Sequence, residues 1–259
     1  MRPLPDISVC AKTDVGLKRT NNEDSYQLVC REGTGYDIDT FGMLFAVADG
    51  MGGHAGGEVA SRVACQVLLE YYGGQLESGE NVDPVEARLG KLDKVFWRIE
   101  KEIYRLSEEM PRYANMGTAL SVLLLFKEHA LIAHVGDSRI YRMRNGILEQ
   151  LTEDETMAQL SLEMGYLKPD EVRGHQQGHI LTQALGVGLE EVNTRVEGIE
   201  SQDVYLLCSD GLYDMVSDER IRDILLEFRG KQGSCEKLLN TALREGGKDN
   251  VTVIVVGLE

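Results

Sequence analysis

Two aspartate-glycine pairs stand at the ends of apolar runs in this sequence and are candidates for chemistry. Asp49 ends LFAVAD and Asp210 ends VYLLCSD, and a glycine follows each of them. Further acidic residues occupy comparable places: Glu23 and Asp24 in RTNNEDS, Asp137 at the end of LIAHVGD, and Asp249 just before NVTVIVV. Carboxylates gathered at strand ends would repel one another unless a cation neutralised them. These residue types therefore suggest a metal site.

The available donor atoms narrow the choice of metal. No cysteines or histidines have zinc-ligand spacing, so the donors are carboxylates and the carbonyl of Gly50, which has no Cβ in the way. Oxygen donors favour hard cations such as Mg²⁺ or Mn²⁺. Each Asp-Gly pair alone is also an ordinary turn signal. Repetition after two matched runs favours a shared site, but the sequence leaves open whether these ends converge.

The elements that would position these residues belong to a mixed fold. Short apolar or β-branched runs bounded by turn formers predict strands at 43–49, 119–126, 130–137, 139–144, 147–152, 204–210 and 251–257. Helices are predicted over 57–72, from the N-cap Asp83 to about 109, and near 154–164, 217–228 and 234–245. The dipeptide Asn145-Gly146 predicts a tight hairpin. Hairpin-linked strands with helices in separate runs favour an α+β fold.

Length, charge and cysteine content set broader limits. No linker divides the 259 residues, so we expect a single domain over 1–259. The net charge of −16 disfavours general binding to nucleic acid or to an anionic membrane. Neither a signal-peptide core nor a membrane-spanning run is visible, which predicts a cytoplasmic protein. Five scattered cysteines, an odd number, predict reduced thiols.

Six motifs together resemble one family, the metal-dependent serine/threonine protein phosphatases of type 2C (PPM), particularly their compact bacterial members. The motifs are TDVGLKRTNNEDS, FAVADGMGGHAGGEVAS, NMGTALSVLLL, AHVGDSRIYRMRNG, LLCSDGLYD and GGKDNVTVIVV. Each alone would be weak, but all six follow the family's order across residues 13–256. The resemblance implies a four-layer α/β/β/α sandwich of two mostly antiparallel sheets flanked by helices.

The resemblance also implies a binuclear Mn²⁺ or Mg²⁺ centre, with a third ion in bacterial members. Asp49 would bridge the two ions, and the other ligands would be Glu23, the Gly50 carbonyl, Asp210 and Asp249. Asp24 resembles an outer residue that holds metal-bound water. Asp137 together with Asp210 resembles the pair that holds the third ion, and Asn250 is left outside the ligand set.

Two further residues acquire catalytic roles from the resemblance. Arg19 stands where the family carries its phosphate-binding arginine, and a guanidinium can grip two phosphoryl oxygens. Without that motif, Lys18 and Arg19 would be read as a solvated basic pair. His54 would act as the general acid for the departing alkoxide. Eukaryotic relatives often place this histidine directly after Asp-Gly, where this chain has Met51.

The polar segment 152–180 interrupts the strands and resembles the family's flap, which is thought to affect substrate choice. Glu155 stands where relatives often have histidine, and Gln183 where many have arginine. These departures put the predicted contacts of the flap in question, but they do not affect the predicted metal chemistry. Two histidines of this segment, His175 and His179, are expected to be surface or structural residues.

The predicted function is hydrolysis of phosphoserine and phosphothreonine in proteins, by direct attack of a metal-bridging hydroxide and without a covalent intermediate. The expected partners are phosphorylated proteins, including a serine/threonine protein kinase and its substrates, and the protein is expected to be a monomer. Two alternatives stay open: a catalytically silent relative that serves as a binding module, and a two-metal hydrolase of small phosphate esters or nucleotides. Retention of the acidic ligands disfavours the silent relative.

Overall fold

The structure is a computed structural model that describes residues 6–30, 35–52, 56–77, 82–229 and 232–259. Within these residues the strands are β1 Ile7–Asp14, β2 Asp24–Val29, β3 Met43–Met51, β4 Gly117–Phe126, β5 His129–Val135, β6 Arg139–Arg144, β7 Ile147–Gln150, β8 Asn193–Gly198, β9 Val204–Cys208 and β10 Val251–Leu258. The helices are α1 Ile38–Phe41, α2 Gly56–Leu68, α3 Pro84–Glu109, α4 Met157–Glu163, α5 Pro169–Val172, α6 Asp210–Tyr213, α7 Asp218–Phe228 and α8 Ser234–Arg244.

The strands form two five-stranded sheets. Sheet one has the order β1-β10-β9-β6-β7, and sheet two has the order β2-β3-β4-β5-β8. Every pair of neighbouring strands in these sheets is antiparallel. Antiparallel pairing between strands such as β1 and β10 therefore brings the ends of strands from distant parts of the sequence to the same edge.

Three apolar layers hold the fold together. Side chains of both sheets meet between them, including Phe45 and Leu123 of sheet two and Tyr205 and Leu207 of sheet one, all fully buried. A second cluster lies between sheet two and the helices α2 and α3, and a third lies between sheet one and the helices α6 to α8. The order of layers is helix, sheet, sheet, helix, so the predicted α/β/β/α sandwich is confirmed.

Local sequence signals explain several of these elements. The Asp83 carboxylate accepts hydrogen bonds from two backbone N–H groups of the first turn of α3, and Pro84 opens that helix, as predicted. Asn145 and Gly146 both have positive φ angles, 53° and 79°, in the hairpin between β6 and β7. All ten residues of β4 are buried because it is the central strand of sheet two, with a neighbour on each side.

The structure also corrects some expectations. Asp210 does not end a strand, because β9 stops at Cys208 and Asp210 begins the short helix α6. The prediction that all cysteines are reduced is wrong for Cys10 and Cys235, which form a disulfide between β1 and α8. None of the described helices has both the length and the apolar character needed to cross a membrane.

Candidate metal centre

The predicted acidic residues converge at one edge of the sandwich. Asp24 and Asp49 are register partners on the neighbouring strands β2 and β3. Asp210 begins α6 immediately after β9, and Asp249 lies two residues before β10. Asp137 lies in the turn between β5 and β6.

These residues surround one cavity of about 770 Å³. Its lining includes most of the predicted site residues, namely Arg19, Glu23, Asp49, Gly50, Asp137, Asp210 and Asp249. Asp24 is not in the lining, but it is buried beside its register partner Asp49, with 8% of its surface exposed. The open question of whether these strand ends meet is therefore answered: they do.

The carboxylates strongly disturb one another's ionisation. Burial raises the pKa values of Asp49 and Asp210 well above the ordinary value, and neighbouring carboxylates raise them further. Burial also raises the pKa of Asp24 to about 6, and burial with the nearby Asp154 charge raises that of Asp137 to about 7. The pKa of Glu23 is raised, mainly by burial. The site therefore holds more negative charge than its protein surroundings stabilise.

The donor atoms fit a hard divalent cation. Asp24 Oδ2 accepts a hydrogen bond from Ser209 Oγ at 2.7 Å, whereas Asp24 Oδ1 is buried without a hydrogen-bond partner among the described residues. Among the described residues, the Arg19 guanidinium forms a 2.6 Å ion pair with Asp249 at the rim. Oxygen donors in excess over nearby cations are the arrangement that Mg²⁺ and Mn²⁺ prefer.

Two glycines of the stretch FAVADGMGGHAGG, Gly50 and Gly57, have a packing role. A Cβ at Gly50 would overlap the carbonyl oxygen of Gly57 and lie 2.6 Å from that of Glu23. The first turn of α2 can therefore lie directly against the end of β3 only because both segments have a glycine, without a side chain, at the point of contact. This close approach holds the Glu23 and Asp49 segments next to each other.

Asn250 connects the segments that carry Glu23 and Asp249. Its Oδ1 accepts a hydrogen bond from the Glu23 N–H at 2.8 Å, and its Nδ2 donates to the carbonyl oxygens of Val15 and Asn21 at 2.9 Å each. The sequence left Asn250 outside the ligand set, and nothing in its spacing indicated this role. It is a positioning residue for both acidic segments.

Arg19 and His54 were the two residues with predicted catalytic roles. The Arg19 side chain lines the cavity and is 54% exposed, so it can meet a molecule that enters from solvent. His54 lies outside the residues that the structure describes. The expectation for His54 therefore remains a prediction.

The two departures from the family pattern contact each other. Gln183 Nε2 donates to Glu155 Oε1 at 2.6 Å, and the Gly136 N–H donates to Glu155 Oε2 at 2.7 Å. Glu155 also accepts a hydrogen bond from Asn193 Nδ2. Because Gly136 precedes Asp137, this network fixes the base of the segment 152–180 beside the acidic cluster.

Sequence reasoning missed two polar residues beside the cavity. Asp214 lines it, and His179, which was expected to be a surface or structural residue, lies 3.9 Å from Asp210 and 3.7 Å from Asp214. His179 is exposed as expected, but it faces the acidic cluster. The spacing of Asp214 four residues after Asp210 was the available signal, since such residues share a helix face.

Comparison with known proteins identifies the family. The family model described as Protein phosphatase 2C matches residues 19–245. The serine/threonine protein phosphatase PstP of Mycobacterium tuberculosis is 37% identical over 249 residues, covering 96% of this chain and 44% of the relative. The serine/threonine phosphatase stp of Listeria monocytogenes is 34% identical over 246 residues, covering 95% of this chain and 93% of the relative. The chain belongs to the protein phosphatase 2C family.

Solved structures agree with this assignment. A crystal structure of the M. tuberculosis phosphatase PstP/Ppp has a TM-score of 0.83 at 37% identity and covers 98% of this chain and 99% of that one. The PstP catalytic domain in complex with two manganese ions has a TM-score of 0.77 at 36% identity, covering 97% of this chain and 98% of that chain. The chain thus spans less than half of full-length PstP but nearly all of its crystallised catalytic domain.

Proposed function

We propose that the protein is a metal-dependent serine/threonine protein phosphatase that hydrolyses phosphoserine and phosphothreonine in other proteins. The observation that carries this proposal is the cluster of buried and half-buried carboxylates, drawn from segments far apart in the sequence, around one open cavity. The names of the relatives support the reaction class. The chemistry that two bound Mn²⁺ or Mg²⁺ ions would supply is activation of a water for direct attack on phosphorus.

The position of these residues in the cavity supports the proposed ligand roles. The residues that would hold the two ions are Glu23, Asp49, Gly50 through its carbonyl oxygen, Asp210 and Asp249. Asp24, buried behind Asp49 and bonded to Ser209, would orient water at the centre. Asp137 with Asp210 would hold a third ion, supported by the electrostatic interaction between these two carboxylates.

Arg19 would bind the phosphate group of the substrate. Its guanidinium is at the rim and contacts Asp249 through a single nitrogen, Nη2. No other acceptor among the described residues contacts this guanidinium, so its remaining N–H donors can bind phosphoryl oxygens, which match the planar fork of arginine. Arg19 thereby orients the phosphorus over the acidic cluster.

His54 would donate the proton that the departing serine or threonine oxygen needs. An imidazole has an ordinary pKa of about 6.5, which suits proton donation near neutral pH. We expect His54→Ala to slow hydrolysis of a phosphopeptide more than that of an aryl phosphate, whose leaving group needs no proton. Steady-state rates on both substrates measure this, and equal losses would contradict the role.

The reaction is tested with a phosphothreonine peptide. We expect Mn²⁺-dependent release of inorganic phosphate, its loss on chelation, and its loss in Asp210→Ala. Activity that survives chelation or that substitution would overturn the proposal. Nucleotides and sugar phosphates are tested in parallel, because faster turnover of these would instead identify a small-ester hydrolase.

The biological setting is also a proposal. We infer a single catalytic domain over 1–259, with a flap at 152–180, that works as a cytoplasmic monomer on phosphorylated proteins, including a protein kinase and its substrates. The support is the negative net charge of −16, which disfavours nucleic acid and anionic lipid, and the protein phosphatase names of the relatives. Light scattering of the purified protein tests the monomer.

A further inference from the structure

A groove lined by basic side chains lies between the helices α7 and α8, which cover sheet one. Its volume is about 400 Å³, and the cations in its lining are Arg220, Lys237 and Arg244. Among the described residues that line it, Glu245 carries the one carboxylate. This basic groove therefore has a positive net charge, in a chain whose total charge is −16.

The two helices aim their cations into the same space. On α8, Lys237, Thr241 and Arg244 are spaced by four and three positions, so they share one face of the helix. Arg220 comes from the first turn of α7, where its N–H donates to Oγ of the N-cap Ser217 at 3.3 Å. The cap fixes the backbone from which the Arg220 side chain extends. A molecule in the basic groove would thus meet donors from both helices.

The three cations have no acidic partner in the protein. Within the described part of the chain, no carboxylate pairs with Arg220, Lys237 or Arg244, and their side-chain nitrogens donate no hydrogen bond. Other arginines on the surface, such as Arg105 and Arg222, are paired with glutamate or aspartate. The two groove arginines are exposed and Lys237 is half-buried. Their positive charges are therefore available to an anion from solvent.

The basic groove adjoins the cavity that holds the acidic cluster. Met215 lines both of them. Two chain segments also run from one to the other: Asp214 lines the cavity and Ser217 the groove, and Lys248 lines the cavity and Glu245 the groove. An extended peptide advances about 3.3 to 3.6 Å per residue. A peptide with its phosphorylated residue in the cavity can therefore reach the groove with a side chain about two to four residues away.

We propose that the basic groove binds a second phosphoryl group of the substrate, on a residue about two to four positions from the one that is hydrolysed. A phosphorylated side chain carries nearly two negative charges and three acceptor oxygens, which suit guanidinium and ammonium donors from two helices. A carboxylate offers a single charge and two oxygens. This inference rests on the proposed function and names its substrate class: protein segments phosphorylated at two nearby residues.

Two phosphothreonine peptides of one sequence test the groove in the presence of Mn²⁺. In the first, a second threonine two to four positions away is unmodified. In the second, a phosphonate analogue of phosphothreonine replaces it, with a carbon–phosphorus bond that is not hydrolysed. The readout is the ratio of their kcat/KM values, which unproductive binding of the phosphonate in the cavity does not change. We expect the phosphonate peptide to be favoured by about 3- to 30-fold, the effect of a few exposed ion pairs.

A matched pair of variants locates the effect. We expect Lys237→Gln with Arg244→Gln to lower this ratio by at least about threefold. The control, Lys101→Gln with Arg112→Gln, removes the same charge from α3 and the turn after it, on the side of sheet two, and should keep the ratio. A ratio of one in the wild type at every spacing, or an unchanged ratio in the groove variant, would overturn the proposal.

A third peptide, with glutamate at the second position, distinguishes a phosphoryl group from any acidic side chain. We expect it to be favoured less than the phosphonate peptide. Equal preference for the two would overturn the assignment of a second phosphoryl group to the groove.

Fluorescence anisotropy separates the groove from the proposed function, because it needs no turnover. The probe is a labelled peptide with the phosphonate analogue at both positions, and we expect its Kd to be about 3- to 30-fold higher in the groove variant than in the wild type. Equal Kd values would overturn the proposal. If the variant binds more weakly but the wild type hydrolyses no phosphopeptide, the proposed function fails and the groove stands. Hydrolysis without any preference leaves the function and removes the groove.

Discussion

At the scale of single residues, Asn250 shows how a side chain outside the predicted ligand set can govern the site. It accepts from the backbone of Glu23 and donates to Val15 and Asn21, so it fixes the spacing of two loops. Residues that orient metal ligands commonly contribute a factor of about 10 to 100 in metal affinity.

We expect Asn250→Ala to weaken Mn²⁺ binding by about 10- to 100-fold, because Glu23 loses its fixed position. Isothermal titration with Mn²⁺ measures the change. Asn240→Ala, at an exposed position of α8, is the control and should bind like the wild type. Wild-type affinity in Asn250→Ala would mean that the ligands are positioned without it.

The raised pKa of Asp137 leads to a prediction about pH. The native metal-free protein holds the Asp137 proton up to about pH 7, whereas an unfolded chain loses it near pH 3.9. The stability that this group contributes is therefore complete below about pH 4 and is lost as the pH rises toward 7.

The experiment is urea unfolding in the presence of a chelator, from pH 4 to 7.5. We expect the free energy of unfolding of the wild type, relative to that of Asp137→Asn, to fall as pH increases across this range. A relative stability that is constant or that increases would show that Asp137 is not protonated in the native metal-free state.

The residues of the acidic cluster could be predicted because each follows or precedes an apolar run and most neighbour a glycine or a matching motif. The contacts that Asn250, Asp214 and His179 make could not be predicted from the sequence. His179 reaches Asp214 across 35 positions, and Asn250 reaches Glu23 across 227. Such pairs are set by the packing of distant segments, and no local pattern in one sequence encodes them.

At the scale of elements, the connection between Glu155 and Gln183 determines how the flap is attached. Glu155 is half-buried and accepts hydrogen bonds from Gly136, Gln183 and Asn193. Gln183 in turn accepts from the backbone of Glu190. One carboxylate therefore satisfies donors from three parts of sheet two and its loops.

We expect Glu155→Ala to lower the free energy of unfolding by about 1 to 3 kcal/mol, because the buried Gly136 N–H and the half-buried Gln183 amide lose their partner. Hydrogen exchange of the Gly136 amide should become faster. The neighbouring Glu153→Ala, at an exposed position, is the control and should change stability by less than about 0.5 kcal/mol. Equal effects of the two substitutions would contradict this attachment.

The elements themselves were only partly predictable. The central strands and the capped helix α3 were found because burial on both faces and capping leave strong local patterns. The strands β1, β2 and β8 were missed, and all three lie at sheet edges. Edge strands expose one face and carry mixed polar residues, so their sequences lack the apolar run that marks a strand.

At the scale of the whole molecule, a disulfide ties the first strand to the last helix. Cys10 of β1 and Cys235 of α8 are 225 positions apart. A bond across so long a loop removes much of the freedom of the unfolded chain, and typical disulfides contribute about 2 to 4 kcal/mol. Cysteine spacing could not reveal it, because the pairing depends on β1 lying beside β10 beneath α8.

We expect the free energy of unfolding of the double variant Cys10→Ser, Cys235→Ser to be about 2 to 4 kcal/mol lower than that of the oxidised wild type, so the variant should unfold at a lower urea concentration. A reducing agent should lower the stability of the wild type and leave that of the variant unchanged. If the reductant affects neither protein, the two cysteines are not bonded in solution.

The net charge and the fold together explain why the site needs cations. Two sheets place acidic segments from five regions at one edge, in a molecule that already carries a charge of −16. Long-range repulsion among these negative charges adds to the free-energy cost of burying the carboxylates, so the protein should attract divalent ions. The central claim is that these ions are bound between the converging carboxylates.

Anomalous X-ray scattering from crystals soaked in Mn²⁺ tests that claim most directly. We expect two manganese peaks about 3.5 to 4 Å apart, with the Asp49 carboxylate between them and Asp210 and Asp249 in contact. Crystals in which these carboxylates show no manganese peak, and Asp249 stays paired with Arg19 at saturating Mn²⁺, would contradict it.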